Sequence, residues 1–170
     1  MNYTKLTKLC GTPCVEISAM GYTAYIAYEV GSNMIRLHDD KDGVEVVRFN
    51  PDNTIDDIMK SPEVWGLPSL YLPNRFADGI LKTSDSEYHL PVNEKAPYNN
   101  HIHGFLHKRK HSVVEHGSDE SSAYVKTEYL YDENDEFYQY LPIKFKAEYT
   151  FKVSDRGLDY RVTFTNLSDK

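Results

Sequence analysis

Apolar and polar side chains alternate with a period of two along much of this chain. Ala123, Val125, Thr127, Tyr129 and Tyr131 are separated mostly by polar neighbours, and Phe145, Ala147, Tyr149, Phe151 and Val153 repeat the pattern. Ser154-Asp155-Arg156-Gly157 then reads as a turn, after which Leu158, Tyr160, Val162 and Phe164 alternate again. That period puts alternate residues on one face of a strand, so these segments predict antiparallel strands with one face on a core and one in water. The last two form a hairpin. Residues 23–30, 34–37 and 44–49 read as further strands, separated by Gly31-Ser32 and by the polar stretch 39–43. Only residues 53–60 read as a helix, with Asn53 or Thr54 as N-cap. Pro62, Pro68 and Pro73 keep the following stretch irregular.

No internal repeat or linker divides the chain, and its 170 residues fit one domain with a sizeable core. The prediction is therefore a single all-β domain over residues 1–170, an antiparallel β-sandwich. The sequence ends at Asn166-Leu167-Ser168-Asp169-Lys170, directly after its cleanest amphipathic strand. We expect an apolar strand edge there without its next partner, a fold that extends past Lys170, and self-association through the edge.

Tyrosine is abundant, 14 against one Trp, which suits half-wet strands and also sugar sites. The net charge of −7 argues against nucleic acid or an anionic membrane surface as partner. Lys108-Arg109-Lys110 is the one basic patch, and acidic residues at 119–120 and 132–136 follow it, so it reads as a solvated turn. Neither a signal peptide nor a membrane span is evident, and a cytoplasmic address follows by default. Cys10 and Cys14 have no second pair to complete a zinc set and read as incidental reduced thiols.

Two stretches carry the candidate chemistry, Pro73-Asn74-Arg75-Phe76-Ala77-Asp78-Gly79 and Asn99-Asn100-His101-Ile102-His103-Gly104-Phe105. Arg75 is a permanent cation with a rigid fork of donors for vicinal hydroxyls or a carboxylate; its bland alternative is an ion pair with Asp78 or a neighbouring strand's acid. Asn74 is a substrate-binding amide or a turn residue after Pro73. Two residues apart on an extended segment, His101 and His103 project to one face, where imidazoles can grip and protonate a sugar oxygen near neutral pH. His107, His111 and His116 bring the local count to five and raise a metal reading, but no acid follows His103 until Glu115. Taken singly, these three are surface or core residues with satisfied hydrogen bonds.

The segment from Gly66 through Pro73-Asn74-Arg75 to Gly79 resembles the Asn-Arg segment of the aldose 1-epimerases, the galactose mutarotase family. Tyr88 to Asn93 followed by His103-Gly104-Phe105 is similar to that family's Asn…His-Gly stretch, and residues 141–166 to its following hairpin. The likeness runs in order from about residue 22 to 170. It implies a mutarotase-like supersandwich of which this chain is the N-terminal portion, with a hexose as substrate and no cofactor or metal. It also implies substrate binding by Asn74, Arg75 and His103, and a catalytic role for His103 near the ring oxygen. His101 stands where the family's motif varies and receives no role. The family's second histidine, which protonates the ring oxygen, and its glutamate base fall past Lys170, and Glu63, Glu94 and Glu115 are not evident substitutes. A noncatalytic carbohydrate-binding sandwich and a His-x-His metal-binding barrel are the alternatives. A hexose phosphate substrate ranks below a neutral sugar, since it would need further cations such as Lys108, Arg109 and Lys110.

Overall fold

A computed structural model describes residues 1–169; the predicted domain's last residue, Lys170, lies outside them. Among the described residues the chain forms thirteen strands, one α-helix and two short 3₁₀ turns. The first sheet is an antiparallel meander of β1 (Tyr3–Leu9), β2 (Thr12–Ala19), β3 (Tyr22–Ala27), β4 (Asn33–Asp39) and β5 (Val44–Glu45). Cys10-Gly11 and Met20-Gly21 close its first two hairpins, and all four residues have positive φ (54°, 78°, 55° and 92°). Two consecutive residues at positive φ are what a type I′ turn requires, and glycine takes one of the two without steric cost. The helix α1 (Ile55–Lys60) begins at Thr54, whose hydroxyl accepts from the Asp57 N–H while the Asp57 carboxylate accepts from the Thr54 N–H. It lies on the outer face of the first sheet, packing Ile58 among Cys14, Ala27, Val30 and Ile35. Both cysteines are free, and burial pushes the Cys14 thiol up to about 12, an inert packing group.

Between the sheets the chain makes two small ribbons. One pairs β6 (Arg75–Ala77) with β9 (Asn100–Ile102), the other β7 (Ile80–Lys82) with β8 (Glu87–His89). The second large sheet runs β10 (Ser112–Ser118), β11 (Ser122–Tyr131), β12 (Phe145–Ser154) and β13 (Gly157–Asn166) in that order, all antiparallel. The fold is thus an all-β antiparallel sandwich. Val15, Ile17, Ala24 and Ile26 meet Ala123, Val125, Ala147, Tyr149 and Phe151 in one core, all fully buried. Core tyrosines keep partners for their hydroxyls: Tyr131 donates to the Leu141 carbonyl at 2.8 Å, and Tyr149 bonds Ser69 at 2.6 Å. Leu72, Leu90, Phe105 and Leu106 sink into the same core and anchor the ribbons against the sandwich.

Several expectations need adjustment. Residues 46–49 are bends and coil rather than strand, and residues 28–30 belong to a turn. Lys108-Arg109-Lys110 is not uniformly solvated. Arg109 donates to Asp135 at 2.7 and 2.8 Å and lies over the Phe105 ring, because the 3₁₀ turn at Leu106–Lys108 directs it inward. No helix among the described residues is long and apolar enough to cross a membrane.

Candidate functional site

The β6–β9 ribbon sorts the candidate residues onto two faces. Arg75 lies opposite Ile102, and Phe76 opposite His101. Directly opposed residues of an antiparallel pair project to the same side, so Phe76 and His101 share one face, and Arg75 and Ile102 the other. The first pair faces the core. His101 is 1% exposed, its Nδ1 lies 2.7 Å from the Pro91 carbonyl, and its ring packs near Phe137. His101 and His103 therefore do not form the shared wall that their spacing predicts. The strand ends at Ile102, and His103 takes a left-handed conformation (φ 62°) that breaks the alternation.

That conformation is built in by Gly104. A Cβ at this position would stand 1.8 Å from the Leu72 nitrogen and 1.9 Å from the Tyr71 carbonyl oxygen, so only glycine fits. Phe105 donates to that same Tyr71 carbonyl at 2.9 Å. One step back, the His103 N–H donates to the Asn74 carbonyl at 3.1 Å. On the free edge of β9, Asn93 clasps the Ile102 backbone, accepting from its N–H at 2.7 Å and donating to its carbonyl at 2.9 Å. The Glu94 main chain exchanges hydrogen bonds with Asn100.

The outer face of this ribbon forms one wall of a cleft of about 490 Å³, a size suited to a small molecule. Arg75, Glu94, His103 and His107 line it, together with Lys60 at the end of α1 and Glu63 in the 3₁₀ turn Pro62–Val64 that follows. Arg75 meets Glu94 side-on, with Nε 2.9 Å from Oε2 and Nη2 2.9 Å from Oε1. Asn100 donates to Glu94 Oε2 at 2.6 Å. Arg75, then Asn100, hold the Glu94 carboxyl below the usual carboxylate range, so it stays ionised. Buried Nδ1 atoms of His103 and His107 have no hydrogen-bond partner among the described residues. Burial, with Lys108 nearby, pushes His107 down to about 4, leaving it neutral at pH 7.

The structure thus brings Arg75 and His103 to one cleft and removes His101 from it. Asn74 sits on the exposed rim at φ 61° and contributes its main-chain carbonyl; its side chain does not line the cleft. Glu94, set aside above as a base, and His107, read above as a surface or core residue, also line the cleft. Arg75 is ion-paired as its bland alternative foresaw, though with Glu94; Asp78 instead accepts from Asn99 at 2.7 Å. A second hollow of about 460 Å³, at the β12–β13 turn, is lined by Lys152, Arg156 and Asp159 but by no imidazole. No three His, Cys, Asp or Glu side chains gather into a metal-ligand group among the described residues.

The family model of aldose 1-epimerase matches residues 13–170. The chain belongs to the aldose 1-epimerase family. A galactose mutarotase-like protein from Clostridium acetobutylicum superposes with a TM-score of 0.92 and is 33% identical, over 98% of this chain and 50% of its own. A galactose 1-epimerase from Lactobacillus acidophilus NCFM (TM-score 0.72, 18% identity) matches over 96% of this chain and 48% of its own. A galactose mutarotase-like protein from Lactobacillus casei ATCC 334 (TM-score 0.62, 18% identity) matches over 92% and 45%. The last two likenesses bear on fold alone. The chain spans about half the length of each of these structures.

Proposed function

We propose that this cleft binds an aldose as its pyranose, with Arg75 and His103 as the gripping donors, and that the binding serves interconversion of α and β anomers. The observation that carries the proposal is the convergence of a guanidinium and an imidazole, from segments distant in sequence, on one cleft of sugar size. Anomer exchange needs a proton delivered to the ring oxygen and one withdrawn from the C1 hydroxyl. The C1–O5 bond then breaks to give the open aldehyde, which turns about C1–C2 and recloses on its other face. Each proton transfer by a positioned group contributes on the order of 10²–10⁴-fold. The imidazole of His103 can hydrogen-bond at or near the ring oxygen, while Arg75 fixes neighbouring hydroxyls.

The base for the C1 hydroxyl is not among the donors named so far. Glu94 has both oxygens engaged, by Arg75 and by Asn100, and is poorly placed to take a proton. We therefore propose that the 170-residue chain binds and orients the sugar without fast turnover by itself. Polarimetry of freshly dissolved α-galactose, alongside a binding measurement, tests this. Saturable binding with near-spontaneous mutarotation supports the proposal. Rapid mutarotation abolished by Glu63→Gln places the base on the cleft's facing rim and contradicts it, and absence of any sugar binding overturns the functional reading.

A further inference from the structure

Glu94 does more to the cleft than hold an arginine in place. The side-on pairing occupies Nε and one edge of Nη2, at 2.9–3.1 Å. Among the described residues, Nη1 has no protein acceptor. The end of the guanidinium is therefore still a two-pronged donor, but its charge is balanced by a carboxylate in direct contact. Arg75 is 51% exposed at its side chain and Glu94 only 19%, so the cation points outward and the compensating anion sits behind it. Asn100 and the main-chain bonds between residues 94 and 100 pin that anion.

Resting on the reading of Arg75 as a sugar-gripping donor, we infer that Glu94 sets the ligand's charge class. It turns Arg75 from an anion receptor into a net-neutral fork that favours hydroxyl oxygens over a carboxylate or phosphate. A bare arginine prefers an anionic acceptor, because its bidentate bonds to one are both shorter and charge-assisted. With Glu94 ionised behind it, an anionic ligand meets repulsion from Glu94 that cancels much of that preference, whereas an uncharged hydroxyl keeps both hydrogen bonds. Lys60 is paired with Asp57 at 2.8 Å and shares its rim with Glu63, so that side of the cleft adds little net cation, and Lys108, which also lines the cleft, is a cation that Glu94 does not contact.

The test is a comparison of D-galactose and D-galacturonate binding by NMR titration at fixed ionic strength, on the full chain. Wild type is expected to bind galactose better. Glu94→Gln keeps the shape and a hydrogen-bond acceptor but removes the charge, and should shift the galacturonate-to-galactose affinity ratio at least tenfold toward the acid. The shift should weaken in high salt. Arg75→Gln, which leaves Glu94 unbalanced, should shift the ratio the opposite way, and the double variant should return near the wild-type ratio. An unchanged ratio in both single variants, or parallel loss of both sugars, overturns the inference while leaving the sugar site standing. Failure of wild type to bind either sugar overturns the site itself.

Discussion

His103 and Asn74 hold each other in place through the main chain: the N–H of one donates to the carbonyl of the other at 3.1 Å, and both residues are left-handed, at φ 62° and 61°. The contact fixes the imidazole-bearing loop to the arginine-bearing strand. Neither residue's side chain is needed for it, so chemistry and scaffold can be separated by substitution. His103→Gly should remove the imidazole and relieve the left-handed backbone at once. We expect stability unchanged or raised by up to about 1 kcal/mol, with sugar affinity down roughly tenfold, the equivalent of one lost hydrogen bond. Urea denaturation and a galactose titration check the two halves; affinity equal to wild type would remove His103 from the site.

The neighbouring glycine should behave oppositely. Gly104→Ala places a Cβ 1.8–2.0 Å from main-chain atoms of Tyr71 and Leu72, at a φ of 61°. Backbone atoms cannot swing aside as a side chain does, so the loop must move off the core. A loss of about 4 kcal/mol or more is expected, read as a large drop in the urea midpoint or as failure to fold. A variant of wild-type stability would mean that the close approach of residues 71 and 104 is not as described.

Acid should destabilise the protein before its carboxylates titrate. Burial pushes His107 and His111 down to about 4, below the ordinary histidine value of about 6.5. The ring of His111 stacks between Tyr129 and Tyr149, with Nδ1 2.9 Å from the Ser32 hydroxyl. The unfolded chain takes up these two protons as pH falls below about 6.5, while the folded chain resists until about 4, so stability rises with pH across that window. The loss between pH 7 and pH 4 is on the order of 2–3 kcal/mol per histidine at most. Urea midpoints at pH 7 and pH 5 should differ clearly. Equal midpoints would indicate that these rings are protonated or hydrated in the folded state.

On the opposite side of the second sheet, β13 is an edge whose inward side chains are incompletely covered. Phe164 is 43% exposed although it stacks on Tyr71 at 4.4 Å, and Val162 and Tyr160 line an apolar groove of about 210 Å³ beside Pro68. Exposed apolar edges pair with other strands. Sedimentation velocity should show concentration-dependent association, suppressed by Phe164→Lys. A strictly monomeric wild type at high concentration would contradict this.

The long strands were legible because their faces differ so strongly. In β12 every second residue from Phe145 to Val153 is buried, and Lys146, Glu148, Thr150 and Lys152 alternate outward. The capped helix at Thr54 was legible for its local chemistry. By contrast β1 and β2 went unread, since Val15, Glu16 and Ile17 are all buried, with Glu16 held by Tyr3 and Lys5, which hides the alternation. The Cys10-Gly11 and Met20-Gly21 turns were the available signal. In the cleft, the family likeness singled out Arg75 and His103, which both line it, but the period-two rule misplaced His101 because it cannot register a strand ending at Ile102. Glu94 was unreadable, as its approach to Arg75 depends on strand pairing between segments far apart in sequence.

In the proposed function, Arg75 and His103 grip one aldose together. A ¹H–¹⁵N NMR titration of the full chain with galactose measures it most directly. Saturable shifts are expected, centred on the amides of Arg75, Glu94, Ile102 and His103, with an affinity that falls roughly tenfold in each of Arg75→Ala and His103→Gly. Shifts confined to the β12–β13 turn, or ribbon shifts that titrate with wild-type affinity in both variants, would contradict it.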